Sequence, residues 1–159
     1  MAQIKTNAMR ILDQKKIEYT TITYDVSDDK IDGVSVSEKI SKDPKFVYKT
    51  LVLQGNSKNI YVYLLPVKEE LDLKKAAKTA GEKNVEMIQV KDILKFTGYI
   101  RGGCSPIGMK KNYKTFIDKS VLEIDKIIVS GGKIGVQMEL LTSSLIKASN
   151  AEIKDIVMA

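Results

Sequence analysis

Residues 47–54 and 60–65 constrain this chain more than any other stretch. Both are rich in Val, Leu, Ile and Tyr, and Gly55-Asn56-Ser57-Lys58-Asn59 separates them. Apolar β-prone runs joined by a short polar loop with glycine read as an antiparallel hairpin. Alternation within the first run puts Val47, Lys49, Leu51 and Leu53 on one side, and Tyr48, Thr50, Val52 and Gln54 on the other. Lys49 thus shares a face with three aliphatic residues. Burying an ammonium without a partner costs on the order of several kcal/mol. Two readings remain open at this point: Lys49 reaches from the strand end to water, or it is a cation aimed into a pocket, binding phosphate or polarising a carbonyl.

The flanks alternate between helix and strand. Thr6 caps a first helix with Ala8, Ile11 and Leu12 on one face. Residues 19–24 read as a strand and 28–33 as a polar turn. Ser35-Val36-Ser37-Glu38 has capping-box spacing for a short helix that ends near Ile40, before Asp43-Pro44. Asp72 caps a helix that puts Leu73, Ala76, Ala77 and Ala80 on one face, and Gly81 stops it. Residues 85–90 read as a strand and 91–95 as a helix. Further strands are expected at 115–117, 126–130 and 134–140, the last two joined by a turn at Gly131-Gly132-Lys133. Ser143 or Ser144 caps a terminal helix reaching Ala148. The pattern predicts one mixed α/β (α+β) domain over residues 1–159 on a largely antiparallel sheet.

Absences narrow the chemistry. The chain has no histidine and one cysteine, which excludes Ser-His-Asp and Cys-His machinery and zinc clusters built from those ligands. There is no G-x-G-x-x-G, and the nearest approach to a phosphate loop, Gly103 to Gly108, is followed by Met109 where a lysine is needed. No metal and no cofactor are expected. The apolar runs are too short to cross a bilayer, the first six residues lack the apolar core of a secretory signal, and a lone cysteine suits a reducing compartment. A cytoplasmic protein without a membrane partner is expected. Net charge is +6, from 26 basic and 20 acidic residues, which permits a polyanionic partner.

The stretch 97–111, Thr-Gly-Tyr-Ile-Arg-Gly-Gly-Cys-Ser-Pro-Ile-Gly-Met-Lys-Lys, is too rich in glycine for a regular element. Between Asp92 and Asp118 there is no acid, while Lys95, Arg101, Lys110, Lys111 and Lys114 occur there with Tyr99 and Tyr113 interleaved. Cations and aromatic rings on a glycine-rich surface suit single-stranded nucleic-acid ends, although a solvated basic loop has the same composition. Cys104 and Ser105 have no base to activate them, so packing explains them better.

Lys49-Thr50-Leu51-Val52 after Asp43-Pro44, then Leu71-Asp72-Leu73-Lys74-Lys75-Ala76-Ala77, the 97–111 loop, and Val129-Ser130-Gly131-Gly132-Lys133 together resemble the YbaK/EbsC family. These are free-standing aminoacyl-tRNA editing proteins similar to the editing domain of bacterial prolyl-tRNA synthetases. The resemblance implies a central barrel-like mixed sheet with surrounding helices. It also implies hydrolysis of a wrong aminoacyl ester on tRNA, most typically cysteine on proline tRNA, with the substrate's own thiol as attacking group. By the same resemblance Lys49 is the essential residue. Tyr24, Gly102, Ser130 and Gly132 line the pocket for the aminoacyl group and terminal adenosine. Tyr99, Gly103 and Gln137 are added as substrate contacts, with the backbone around Gly102 and Gly103 as oxyanion donors, and Arg101, Lys110 and Lys111 as contacts to tRNA. The partners implied are the aminoacylated 3′ end of tRNA and prolyl-tRNA synthetase, with no DNA. Ile134 stands where relatives often carry arginine, and Gln137 where some carry an acid, so amino-acid preference is open. The alternatives are a deacylase preferring alanine or another small aminoacyl group, and a non-catalytic RNA- or nucleotide-binding module.

Overall fold

The computed structural model describes residues 5–159; Met1 to Ile4, part of the stretch read for a secretory signal, lie outside the described residues. In chain order the elements are α1 (Asn7–Gln14), β1 (Thr20–Thr23), α2 (Gly33–Lys39), β2 (Tyr48–Gly55), β3 (Ile60–Pro66), α3 (Leu73–Ala80), β4 (Val85–Met87), α4 (Val90–Thr97), β5 (Lys114–Asp118), β6 (Lys126–Lys133), β7 (Val136–Leu141), α5 (Thr142–Ser149) and β8 (Glu152–Lys154). Two 3-10 turns, Pro44–Phe46 and Lys119–Glu123, lead into β2 and out of β5. Among the described residues no helix is long and apolar enough to cross a membrane.

The strands form two sheets. One is antiparallel, in the order β1-β7-β6, and the other runs β4-β2-β3-β5-β8. In the second sheet β2 pairs antiparallel with β3 and β4, whereas β5 joins β3 and β8 in parallel. The expected mixed α/β domain with mostly antiparallel pairing is borne out. The barrel-like arrangement is two sheets joined at one point, a parallel bridge from Val47 to Ile128, and they do not close.

Every residue of β3 is buried, because both of its faces are covered. Val62 and Leu64, with Tyr48 and Ile117, meet Ile127, Val129, Met138 and Leu140 of the other sheet, and α1 and α5 close that layer with Ala8, Met9, Leu12 and Leu145. Tyr61, Tyr63 and Leu65 face the opposite way, onto Ala76 and Ala77 of α3. That packing depends on the small residues of α3, whose start and stop are as expected. Asp72 accepts from the N–H groups of Lys74 and Lys75, and Gly81 takes φ +72° at the C-terminus.

Four local expectations need correction. The cap of α2 is Asp32, not Ser35: its carboxylate accepts from both the N–H and the hydroxyl of Ser35, so the cap lies three residues before the expected one and the helix begins at Gly33. The turn after β6 is not Gly131-Gly132-Lys133. The strand continues through these residues with a register shift between Ser130 and Lys133, and the chain reverses at Ile134-Gly135. Neither Ser143 nor Ser144 caps α5, which starts from Leu141 without a side-chain cap. Strand 85–90 is cut short at Met87, because α4 begins at Val90.

Candidate active site

The site comes from an incomplete neighbour. Strand β4 pairs only with residues 53–55 of β2, so the first half of β2, around Lys49 and Thr50, has β3 on one side and, among the described residues, no strand on the other. The three-stranded sheet meets this one where Val47, just before β2, bridges Ile128 of β6. Between that open edge and β6–β7 lies a cleft of about 540 Å³, a size suited to a small polar ligand. Lys49, Thr50 and Leu51 line one side, and Ser130 and Gln137 the other. Tyr24, Ile31 and Asp32 approach from the β1–α2 segment, and Arg101, Gly102 and Cys104 from the glycine-rich loop.

A larger groove of about 740 Å³ lies elsewhere, between Pro44, Phe46, Leu122 and Ile124. None of the residues singled out as candidate site residues lines it, and the smaller cleft is where cation, hydroxyls and amide converge.

Lys49 is neither fully buried nor free in water. Burial pulls its ammonium below the ordinary 10.5, and the negative charges of Glu70 and Glu69 partly offset that. The side chain of Thr50, beside it, was missed by sequence reasoning. Its hydroxyl is buried and has no hydrogen-bond partner among the described residues, and the same holds for the Tyr24 hydroxyl. Buried hydroxyls without partners are uncommon in native structures. Two of them on one cleft mark places where a ligand would supply the missing bond. The available signal for Thr50 was its position next to Lys49 on a strand edge, but an edge becomes visible only once strand order is known.

Gln137 is buried on β7, between Ile22 of β1 and Ser130 of β6 in the sheet register, and contributes an uncharged amide to the cleft. Ser130 lines the cleft, and its hydroxyl accepts from the N–H of Gly132 across the register shift.

The glycine-rich loop divides into residues that face the cleft and residues that hold the loop together. Gly102, at φ +85°, lies against Ile31 and Ile134. No carbonyl among the described residues accepts from the N–H groups of Gly102 and Cys104. Three of the residues expected at the substrate, Tyr99, Gly103 and Gly132, do not line the cleft. Tyr99 is buried inside the loop, where its hydroxyl donates to Ile107 O at 2.6 Å. Gly103 already donates its N–H to Ile100 O, and a Cβ on it would stand 2.9 Å from the Ile134 nitrogen. Gly132 sits against the Tyr99 ring. Lys110 packs along Gly98 at the end of α4, and Lys111 is exposed beside it. Arg101 alone of the three expected tRNA contacts reaches the cleft lining. Cys104 faces the cleft, but burial pushes its thiol up to about 11, so it is a neutral thiol at physiological pH. No group of three or more Cys, Asp or Glu side chains among the described residues is placed to hold a metal.

A half-buried lysine, unpartnered hydroxyls and loop N–H donors around a polar cleft are the features of a site that binds and polarises an ester or anion rather than one carrying its own nucleophile. Comparison with known proteins gives this class its family. The model of the aminoacyl-tRNA editing domain matches residues 32–148, and the chain belongs to that family. It is 43% identical over 154 residues to an Enterococcus faecalis protein, EbsC, named as a candidate Cys-tRNA(Pro)/Cys-tRNA(Cys) deacylase; the match covers 97% of this chain and 94% of that one. A solved structure described as a candidate trans-editing enzyme for prolyl-tRNA synthetase superposes with TM-score 0.84 at 18% identity, covering 99% of this chain and all of that one. A solved hypothetical protein gives TM-score 0.87, also at 18% identity, over 96% of this chain and all of the other. At such identities the two structures show the shared fold.

Proposed function

We propose that this protein removes mischarged amino acids from tRNA, acting on cysteine attached to proline or cysteine tRNA as its relative EbsC is named to do. The observation that carries the mechanism is Lys49, a cation on an open strand edge, facing a cleft that has no activated nucleophile. The terminal adenosine and aminoacyl group enter the cleft, and Lys49 holds the ester end and complements the negative charge that develops on its carbonyl oxygen. The N–H groups of Gly102 and Cys104 are the remaining donors for that oxyanion, since Gly103 has already used its own. Thr50 and Tyr24 supply hydroxyls to the ribose or the aminoacyl group, Ser130 offers a further polar contact, and Gln137 accepts from the α-amine through its amide oxygen.

An aminoacyl ester is already reactive, so positioning and charge stabilisation suffice. With Cys104 neutral and no histidine in the chain, the attacking group is the substrate's own thiol or water. In the thiol route a sulfur–carbon bond forms at the carbonyl, the ester carbon–oxygen bond breaks, and the thiol proton ends on the ribose oxygen that leaves. In the water route the acid and the ribose hydroxyl are released directly. Arg101 at the cleft rim, with Lys110 and Lys111 beyond it, receives tRNA phosphates; prolyl-tRNA synthetase is the partner expected to deliver the substrate.

Incubation with radiolabelled cysteinyl-, alanyl- and prolyl-tRNA(Pro) tests the reading. Release of cysteine alone supports it. Release of alanine points to a deacylase for small aminoacyl groups, and binding without release to a non-catalytic RNA module. The basic rim predicts activity that falls as salt rises.

A further inference from the structure

One wall of the cleft is a loop, residues 25–31, held at its two ends by β1 and α2. Tyr24 enters it through an N–H bond to Gly135 O at 3.0 Å, and Asp29 within it takes φ +60°. Tyr24, Asp29 and Ile31 line the cleft. A loop with this many exposed polar residues has little apolar burial to fix it. Beyond short-range bonds within it, such as Asp29 N–H to Val26 O, the loop is tied to α2 by one side chain. The Lys39 ammonium donates to Asp25 O at 2.6 Å, to Lys30 O at 2.9 Å and to the Asp28 carboxylate at 2.6 Å. It thereby uses all three of its protons and joins both ends of the loop to α2. The same ammonium stands 5.9 Å from the centre of the Tyr24 ring. Its side chain is only 18% exposed, unusual for a lysine, and a surface ion pair alone would not bury it.

We infer that Lys39 is a positioning residue for the reaction, fixing the 25–31 wall so that the Tyr24 hydroxyl is presented to the substrate. It does not touch the substrate; it acts through Tyr24 and the loop. This rests on the deacylase reading of the cleft. Lys39 cannot be replaced by a shorter or neutral side chain without releasing two carbonyls and one carboxylate together. Arginine keeps the charge and can still bridge two of the three acceptors.

A double-mutant cycle on the full chain tests this, with deacylation kinetics and hydrogen exchange as two readouts. Lys39→Met is expected to lower kcat/KM about tenfold, mainly through KM, and to speed exchange of the 25–31 amides while leaving exchange in β3 unchanged. Tyr24→Phe is expected to cost a similar factor. Because the two act through one contact, the double variant should lose roughly as much as the worse single one, not the product of both. Lys39→Arg should recover most of the lost activity. Additive losses, or unaltered kinetics in a Lys39→Met protein with a loosened loop, overturn the proposal. A wild-type chain that releases no amino acid while Lys39→Met still loosens the loop refutes the deacylase reading and leaves the clamp standing.

Discussion

The glycine-rich loop and the open edge of β2 face each other across the same cleft, and they reach it by opposite means. The loop is the most unusual stretch in the sequence, yet most of its unusual residues hold the loop itself. Tyr99 is pinned to Ile107 O, Gly103 is pressed against the Ile134 backbone, and Ser105 is wholly buried. The β2 edge is an ordinary strand in composition. Its chemistry comes from what does not pair with it: once β4 stops at residues 53–55, Lys49 and Thr50 are left facing space. An odd composition therefore marks a demanding backbone, whereas reactive groups arise where a regular element lacks its neighbour.

The largest expected effect lies on the strand. Lys49→Ala should lower kcat/KM by roughly two to three orders of magnitude, the size of losing a main oxyanion-stabilising group, with the melting temperature little changed. A folded variant within a few-fold of wild type would put the strand edge on the same footing as the loop. Burial sets Lys49 below the ordinary 10.5, so its protonated form is lost as pH rises through that lowered value. Deacylation should accordingly decline on the alkaline side before an ordinary lysine would titrate, and a pH–rate profile with no alkaline limb below 10.5 contradicts the role given to this ammonium.

On the loop, Gly103→Ala should act on the fold. A methyl group 2.9 Å from the Ile134 nitrogen forces loop and hairpin apart, at about 1–3 kcal/mol, read as a lower denaturation midpoint. If kcat falls while stability holds, Gly103 belongs to the chemistry after all. Thr50→Val sharpens the strand side: it preserves shape and removes a hydroxyl that has no partner among the described residues. It should leave stability intact or slightly improved and cost about tenfold in kcat/KM, the worth of one hydrogen bond to substrate. The smallest effect concerns Cys104. With its thiol raised to about 11, alkylation by iodoacetamide should stay slow through pH 9 and accelerate only near pH 11, where the thiolate forms. Fast labelling at neutral pH would make it a nucleophile candidate again.

How far the sequence could be read follows the same division. The hairpin of β2 and β3 and the helix from Asp72 to Gly81 were legible because alternation, a polar loop and capping residues are local signals. The β6–β7 turn was misread, since Gly131 and Gly132 look like a turn but serve a register shift inside a strand; their small size admits Val136, Tyr99 and Thr6 from elsewhere in the chain. Strand β8 gave no signal at all, being three exposed residues held by parallel pairing to β5. At the site, Lys49 was legible as a charge on an apolar face. Thr50, Ile31 and the role of Lys39 were not, because each depends on which strand is missing or which loop folds back.

The open edge of β2 has a consequence for the behaviour of the protein in a crowded solution. A strand lacking one neighbour is a template on which another chain can form backbone bonds, and proteins commonly blunt such edges with lysine. Lys49 stands at that position, with the 25–31 loop across the approach. A residue that brings positive charge to the cleft thus also discourages the cleft from being filled by a stray β-strand, so solubility and the proposed chemistry place the same demand on one side chain.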